Sequence, residues 1–116
     1  MTSRPGLPPA CATALDECLE PELFQALCDP VRLSLVAHFA ASGEPLTVTE
    51  ASRCCGIHFS GVSRHLGMLK RAGVVQAEKR GREVYYRLEV EALASTRRGL
   101  ADALEACWKE SRRASA

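Results

Sequence analysis

Residues 60–88 read SGVSRHLGMLKRAGVVQAEKRGREVYYRL, Ser60 to Leu88, and this stretch decides the fold. Val62, Leu66 and Leu69 recur at helical spacing, and Ser60, Ser63, Arg64, Gly67 and Arg71 fall on the opposite side. The spacing predicts a helix from about Ser60 to Ala72, ended by Gly73. Two strands are expected next, Val74–Lys79 and Val84–Leu88. Arg80-Gly81-Arg82-Glu83 joins them, and Gly81 supplies the positive φ of a tight hairpin. Val84, Tyr86 and Leu88 alternate with Tyr85 and Arg87, as in a half-buried strand.

Upstream, Thr47 or Thr49 can cap a short helix over Glu50–Cys55, with Gly56 as its left-handed stop. Further back, Cys28-Asp29-Pro30 interrupts a helical pattern. Proline disfavours helix in the residue before it and suits a helical first turn, so Asp29 reads as an N-cap. The capped helix is expected from Pro30 to about Ala41, with Leu33, Leu35, Val36 and Phe39 inward, and Ser42-Gly43-Glu44-Pro45 stops it. A first helix starting near Asp16 or Pro21 carries Leu19, Leu23, Phe24 and Leu27. Downstream, a helix from about Val90 to Arg112 carries Leu93, Leu100, Leu104 and Trp108. That long apolar face reads as the surface of a homodimer.

The expected fold is therefore mainly α with a β-hairpin wing. It is a winged helix-turn-helix in the order α-α-α-α-β-β-α. Residues 1–14, rich in Pro and Ala, read as a flexible N-terminal arm, 15–112 as the DNA-binding and dimerisation domain and 113–116 as a tail.

Charge supports a nucleic-acid partner. The 116-residue chain has a net charge of only +1, with ordinary globular composition. Its distribution is uneven, however. Residues 1–30 set Arg4 against Asp16, Glu17, Glu20, Glu22 and Asp29. Residues 59–88 set Arg64, Lys70, Arg71, Lys79, Arg80, Arg82 and Arg87 against only Glu78 and Glu83. A basic block inside a neutral protein is a local electrostatic footprint. A pair of short helices followed by a basic hairpin gives it a use: one helix braces while the next enters the major groove of double-stranded DNA. Ser60, Gly61 and Ser63 allow close approach, and amides at that helix start are expected to meet phosphate. Arg64 and His65 reach bases or phosphates, Lys70 and Arg71 the backbone, and Arg80 and Arg82 contact DNA from the wing tip.

Other classes fit less well. There is no phosphate-cradling glycine loop, nucleophile elbow or HExxH motif, so no enzyme is expected. No apolar run is long enough to span a membrane, and Met1–Pro9 does not resemble a signal peptide. A cytoplasmic protein is expected. An interaction module without DNA binding remains the other alternative.

Three ordered motifs resemble the ArsR/SmtB family of winged-helix, metal-sensing repressors. Leu23-Phe24-Gln25-Ala26-Leu27-Cys28-Asp29-Pro30-Val31-Arg32 is similar to its AL-x-DP-x-R signature. Val62 to Val75 looks like its recognition helix, commonly S-x-HL-x-x-L-x-x-AGLV, and Gly81 to Leu88 matches its wing. The resemblance spans about residues 20–108 and implies a dimeric repressor that releases operator DNA when an inducer binds. The family's usual zinc positions fall on Val90, Ala92, Ala103 and Ala106, which cannot ligate. Its Cys-x-Cys positions fall on Thr47 and Thr49.

The chain's own thiols lie elsewhere. Cys54-Cys55 directly precedes the recognition helix, with Cys11, Cys18 and Cys107 as further ligands. Thiolates suit a soft inducer: As(III), Sb(III), Hg(II), Cd(II) or Pb(II). Neighbours in a helix point about 100° apart, so the pair chelates together only if the helix end unwinds at Gly56. Packing as small hydrophobes is the alternative for these cysteines. A reversible disulfide or persulfide switch is another. Cys28 reads as structural, and His38 and His58 as surface or packing residues.

Overall fold

The computed structural model describes residues 20–53, 56 and 58–115. It contains α1 (Pro21–Leu27), α2 (Pro30–Ser42), β1 (Leu46–Thr47), α3 (Val48–Ser52), α4 (Phe59–Arg71), β2 (Val75–Arg80), β3 (Glu83–Leu88) and α5 (Val90–Ser115). Residues 21–92 form one compact unit, and the part of α5 from Leu93 onward belongs to a second.

Local chemistry sets the boundaries in the first unit. The Asp29 backbone is extended, and its Oδ1 accepts from the N–H groups of Val31 at 2.8 Å and Arg32 at 3.2 Å. These bonds satisfy donors that the first helical turn otherwise leaves open. They also hold the Asp29 carboxyl below its ordinary pKa, the Arg32 N–H contributing most. At the other end of α2, Gly43 adopts φ 68° and its N–H bonds to the Phe39 carbonyl.

Thr47 and Glu50 form a reciprocal cap on α3: the Glu50 N–H donates to Thr47 Oγ1, and the Thr47 N–H to Glu50 Oε1. The Thr47 donors hold the Glu50 carboxyl below its usual range. α4 closes on a Schellman pattern. The Gly73 N–H reaches the Lys70 carbonyl at 3.0 Å, and the Val74 N–H reaches that of Leu69 at 2.9 Å.

The sheet is antiparallel in the order β1-β3-β2. Val75 faces Leu88, and Arg80 faces Glu83 across the Gly81-Arg82 turn, where Gly81 has φ 64° as expected. β1 is an addition to the expected order: Leu46 pairs with Tyr86 and Thr47 with Tyr85. The buried core gathers Leu23 and Ala26 from α1, Leu35 and Phe39 from α2, and Ala51 from α3. Val62, Leu66 and Leu69 come from α4, joined by Leu46, Val74 and Val75.

Several expectations need correction. Leu33 is 52% exposed, because Arg32, Leu35 and Phe39 share the inward stripe of α2 and Leu33 lies to one side of it. Phe24 also faces outward, with Leu23 and Ala26 taking the inner face of α1. Val84 is exposed because it stands beside the hairpin tip, beyond the core. α3 ends at Ser52 with Arg53 as its C-cap, short of the expected Cys55. α5 runs on through Ser115.

Candidate nucleic-acid interface

α4 is two-sided. Val62, Leu66 and Leu69 are fully buried, while Ser60, Ser63, Arg64, Lys70 and Arg71 are exposed and Gly61 is half-buried. A helix held so firmly by one face presents the other rigidly. Arg64, Lys70 and Arg71 make no ion pair among the described residues, so their charges are uncompensated.

The start of α4 differs from expectation. His58 is the N-cap: its Nδ1 accepts from the Ser60 N–H at 3.2 Å and lies 2.8 Å from the Ser60 hydroxyl. The N–H groups of Gly61 and Val62 bond to the His58 carbonyl. These amides are therefore not free donors for phosphate. Histidine is an uncommon cap, so the sequence alone pointed to Ser60 as the helix start instead.

His65 is half-buried, and its Nδ1 lies 3.1 Å from the Arg32 guanidinium. Arg32 is the residue that sequence reasoning missed. An arginine reads as solvent-facing, yet this one is only 8% exposed. Its Nε donates to the Ala26 carbonyl and Nη2 to that of Gln25 at 3.0 Å; Nη1 also meets Met68 Sδ at 3.3 Å. One guanidinium thus joins the last turn of α1 to α4 and satisfies carbonyls that a helix end leaves open. The sequence marked it only as the last residue of the AL-x-DP-x-R resemblance, three residues after the Asp29 cap, with no sign of its burial or partners.

On the hairpin, Arg80 and Arg82 are not equivalent. Arg80 pairs with Glu78 at 3.2 Å and lies 5.0 Å from the Tyr85 ring centroid. The Tyr85 hydroxyl donates to Glu83 at 3.1 Å, and that carboxylate raises the phenol pKa. Arg82, in the turn, is exposed with no ion pair among the described residues, and Lys79 is likewise exposed. Arg87 is engaged by Gln76 and Glu89. The wing therefore offers Arg82 and Lys79 as its uncommitted cations.

Of the expected thiol ligands, Cys11, Cys18, Cys54 and Cys55 lie outside the described residues. Cys107 sits half-buried on α5 and is disulfide-bonded. Cys28 is free and exposed. Among the described residues no three Cys, His, Asp or Glu side chains group to hold a metal, and no helix is long and apolar enough to cross a membrane.

Comparison with known proteins agrees with this geometry. Residues 27–76, from the end of α1 into β2, match a family described as a helix-turn-helix domain. The HTH-type transcriptional repressor SmtB of Mycobacterium tuberculosis is 41% identical over 80 residues, covering 63% of this chain and 53% of that protein. This chain thus spans about half the length of that relative. The probable mercury resistance operon repressor of Streptomyces lividans is 37% identical over 86 residues, covering 71% of this chain and 67% of its own. Among solved structures, the crystal structure of an ArsR family transcriptional regulator superposes with a TM-score of 0.64 at 28% identity, covering 80% of this chain and 92% of the other. With the helix pair, the basic face of α4 and the hairpin wing all in place, the chain belongs to the ArsR/SmtB family of winged helix-turn-helix transcriptional regulators.

Proposed function

We propose that the protein is a homodimeric repressor that grips operator DNA through α4 and the β2–β3 hairpin. It releases that DNA when a soft metal or metalloid ion binds cysteine thiolates. The observation that carries the DNA part is the two-sided α4, with an apolar back buried to completion and uncompensated Arg64, Lys70 and Arg71 in front. Ser63 and Arg64 contact bases, with Ser60, Gly61 and His65 beside them. Lys70, Arg71 and Arg82 meet phosphates, and Arg80 contributes less because Glu78 already holds it. The dimer reading is supported by α5, which leaves Leu104 half exposed and Trp108 64% exposed.

The inducer reading rests on cysteine chemistry and on the relative named as a probable mercury resistance operon repressor. In sequence, Cys54 and Cys55 fall between the end of α3 and the start of α4, so an ion bound there pulls directly on the recognition helix. Cys11 or Cys18, or Cys107 once its disulfide is reduced, completes the set, with As(III), Sb(III), Hg(II), Cd(II) or Pb(II) as the ion. Such an ion shifts the protein only by binding one dimer geometry more tightly than the other. The test is Cys54→Ser combined with Cys55→Ser. The double variant is expected to bind DNA as the wild type does and to hold it when Hg(II) or As(III) is added. Release on metal addition contradicts the assignment.

The disulfide at Cys107 favours a second reading, in which thiol oxidation rather than metal binding is the signal. Titration of the fully reduced protein without oxygen separates the two. A metal sensor develops thiolate-to-metal absorption and loses DNA affinity, whereas a redox sensor responds only to oxidant.

A further inference from the structure

We propose that Arg32 is a positioning residue for DNA recognition: it fixes the His65 proton on Nε2 and so makes that N–H a neutral hydrogen-bond donor for the duplex. The inference rests on the reading of α4 as the DNA-contacting helix.

A guanidinium carries only donors, so at 3.1 Å the His65 Nδ1 must accept from Arg32 Nη1. A neutral imidazole whose Nδ1 accepts holds its proton on Nε2. The two ring nitrogens lie on different edges, so this N–H is directed away from the guanidinium. Arg32 is itself buried and anchored to the Ala26 and Gln25 carbonyls. Its contact with Met68 Sδ, three residues along α4 from His65, fixes the same stretch of helix from beneath. The ring is therefore oriented by the end of α1 through a single side chain. His65 directly follows Arg64 on α4 and is only half-buried, which leaves the outer edge of the ring reachable.

A neutral donor recognises an acceptor, either a phosphate oxygen or the N7 or O6 edge of a purine. It releases no counterion. Loss of His65 should therefore weaken binding without changing its salt dependence, whereas loss of Arg64 changes both.

The experiment uses the full chain and a duplex enriched from a random-sequence library by the wild-type protein. Anisotropy titrations over a range of salt are run on wild type, His65→Ala, His65→Gln, Arg32→Met and the Arg32→Met, His65→Ala pair. Long-range ¹⁵N–¹H NMR reads the ring tautomer. Wild-type His65 is expected with its proton on Nε2, and Arg32→Met with mixed tautomers. His65→Ala should lose about three- to tenfold in affinity with an unchanged salt slope. His65→Gln, whose amide nitrogen reaches the Nε2 position, should recover most of that loss. The double variant should bind no more weakly than His65→Ala.

A loss uniform across sequences identifies phosphate as the acceptor, and a loss confined to one base pair identifies a base edge. A wild-type proton on Nδ1, or His65→Ala binding as tightly as wild type, overturns the inference while leaving DNA binding by α4 intact. Additive losses in the double variant overturn it too. If Arg32→Met fails to fold, the wild-type tautomer and the two His65 variants decide. A wild type that ignores duplex DNA even in dilute salt overturns the reading of α4, and this inference with it.

Discussion

Arg64 stands exposed on α4 without an acidic partner among the described residues, and Arg80 stands exposed on the wing with two partners. The difference predicts unequal roles for residues of one type. Arg64→Ala should weaken DNA binding and reduce the slope of log affinity against log salt by about one unit. Arg82→Ala should do the same. Arg80→Ala should change the slope less, because its charge is already partly met by Glu78; equal slopes for all three contradict the assignment. Salt-dependent titrations of the three variants measure this. The same scale shows what the sequence concealed. Ser63 and Arg64 were legible because periodicity placed them opposite Val62, Leu66 and Leu69. Arg32 and His58 were not. Their roles depend on a contact 33 residues away in one case and on an uncommon cap in the other, and neither role follows from hydrophobic periodicity, even though Arg32 closes the AL-x-DP-x-R motif.

At the scale of elements, the caps decide where helices begin. Asp29 and Glu50 both have carboxyls held below their ordinary pKa by N–H donors. A group with a depressed folded pKa contributes stability above its unfolded value and loses it as pH falls through the folded one. The melting temperature should therefore fall on acidification from about pH 5 to pH 2, and the slope should flatten in Asp29→Asn, which keeps the cap without the titration. A variant as steep as the wild type contradicts the cap's role. Thr47→Ala removes the Thr47 hydroxyl from the α3 cap, and denaturant unfolding should register a loss of about 1 kcal/mol. Helix existence was legible here because Asp29-Pro30, Gly43, Gly73 and Gly81 are strong punctuation. Less was legible about which face turns inward. Leu33 and Arg32 are neighbours, and only the packing of α1 and α4 against α2 shows that the arginine takes the inner position. β1 escaped notice because two residues are too few for an alternating pattern.

For the whole molecule, the order of helices and the basic hairpin was readable from sequence, since each part is a local pattern and their succession suits one architecture. The site's chemistry beyond that was only partly readable: four thiols of the proposed sensor are outside the described residues, and partner choice is a long-range property. Two copies joined through the apolar face of α5 would present two α4 helices to one duplex, with half-sites about one helical turn apart. Trp108→Glu should then yield a monomer with far weaker operator affinity, while its melting transition stays cooperative. Sedimentation of the variant checks this. The most direct test of the central claim is titration of the reduced wild-type protein onto a duplex selected from a random library, in dilute salt, with stoichiometry and the Arg64→Ala comparison. The account predicts two protomers per duplex and markedly weaker binding by Arg64→Ala; a protein that leaves the duplex unbound, or an Arg64→Ala variant that binds as wild type does, contradicts it.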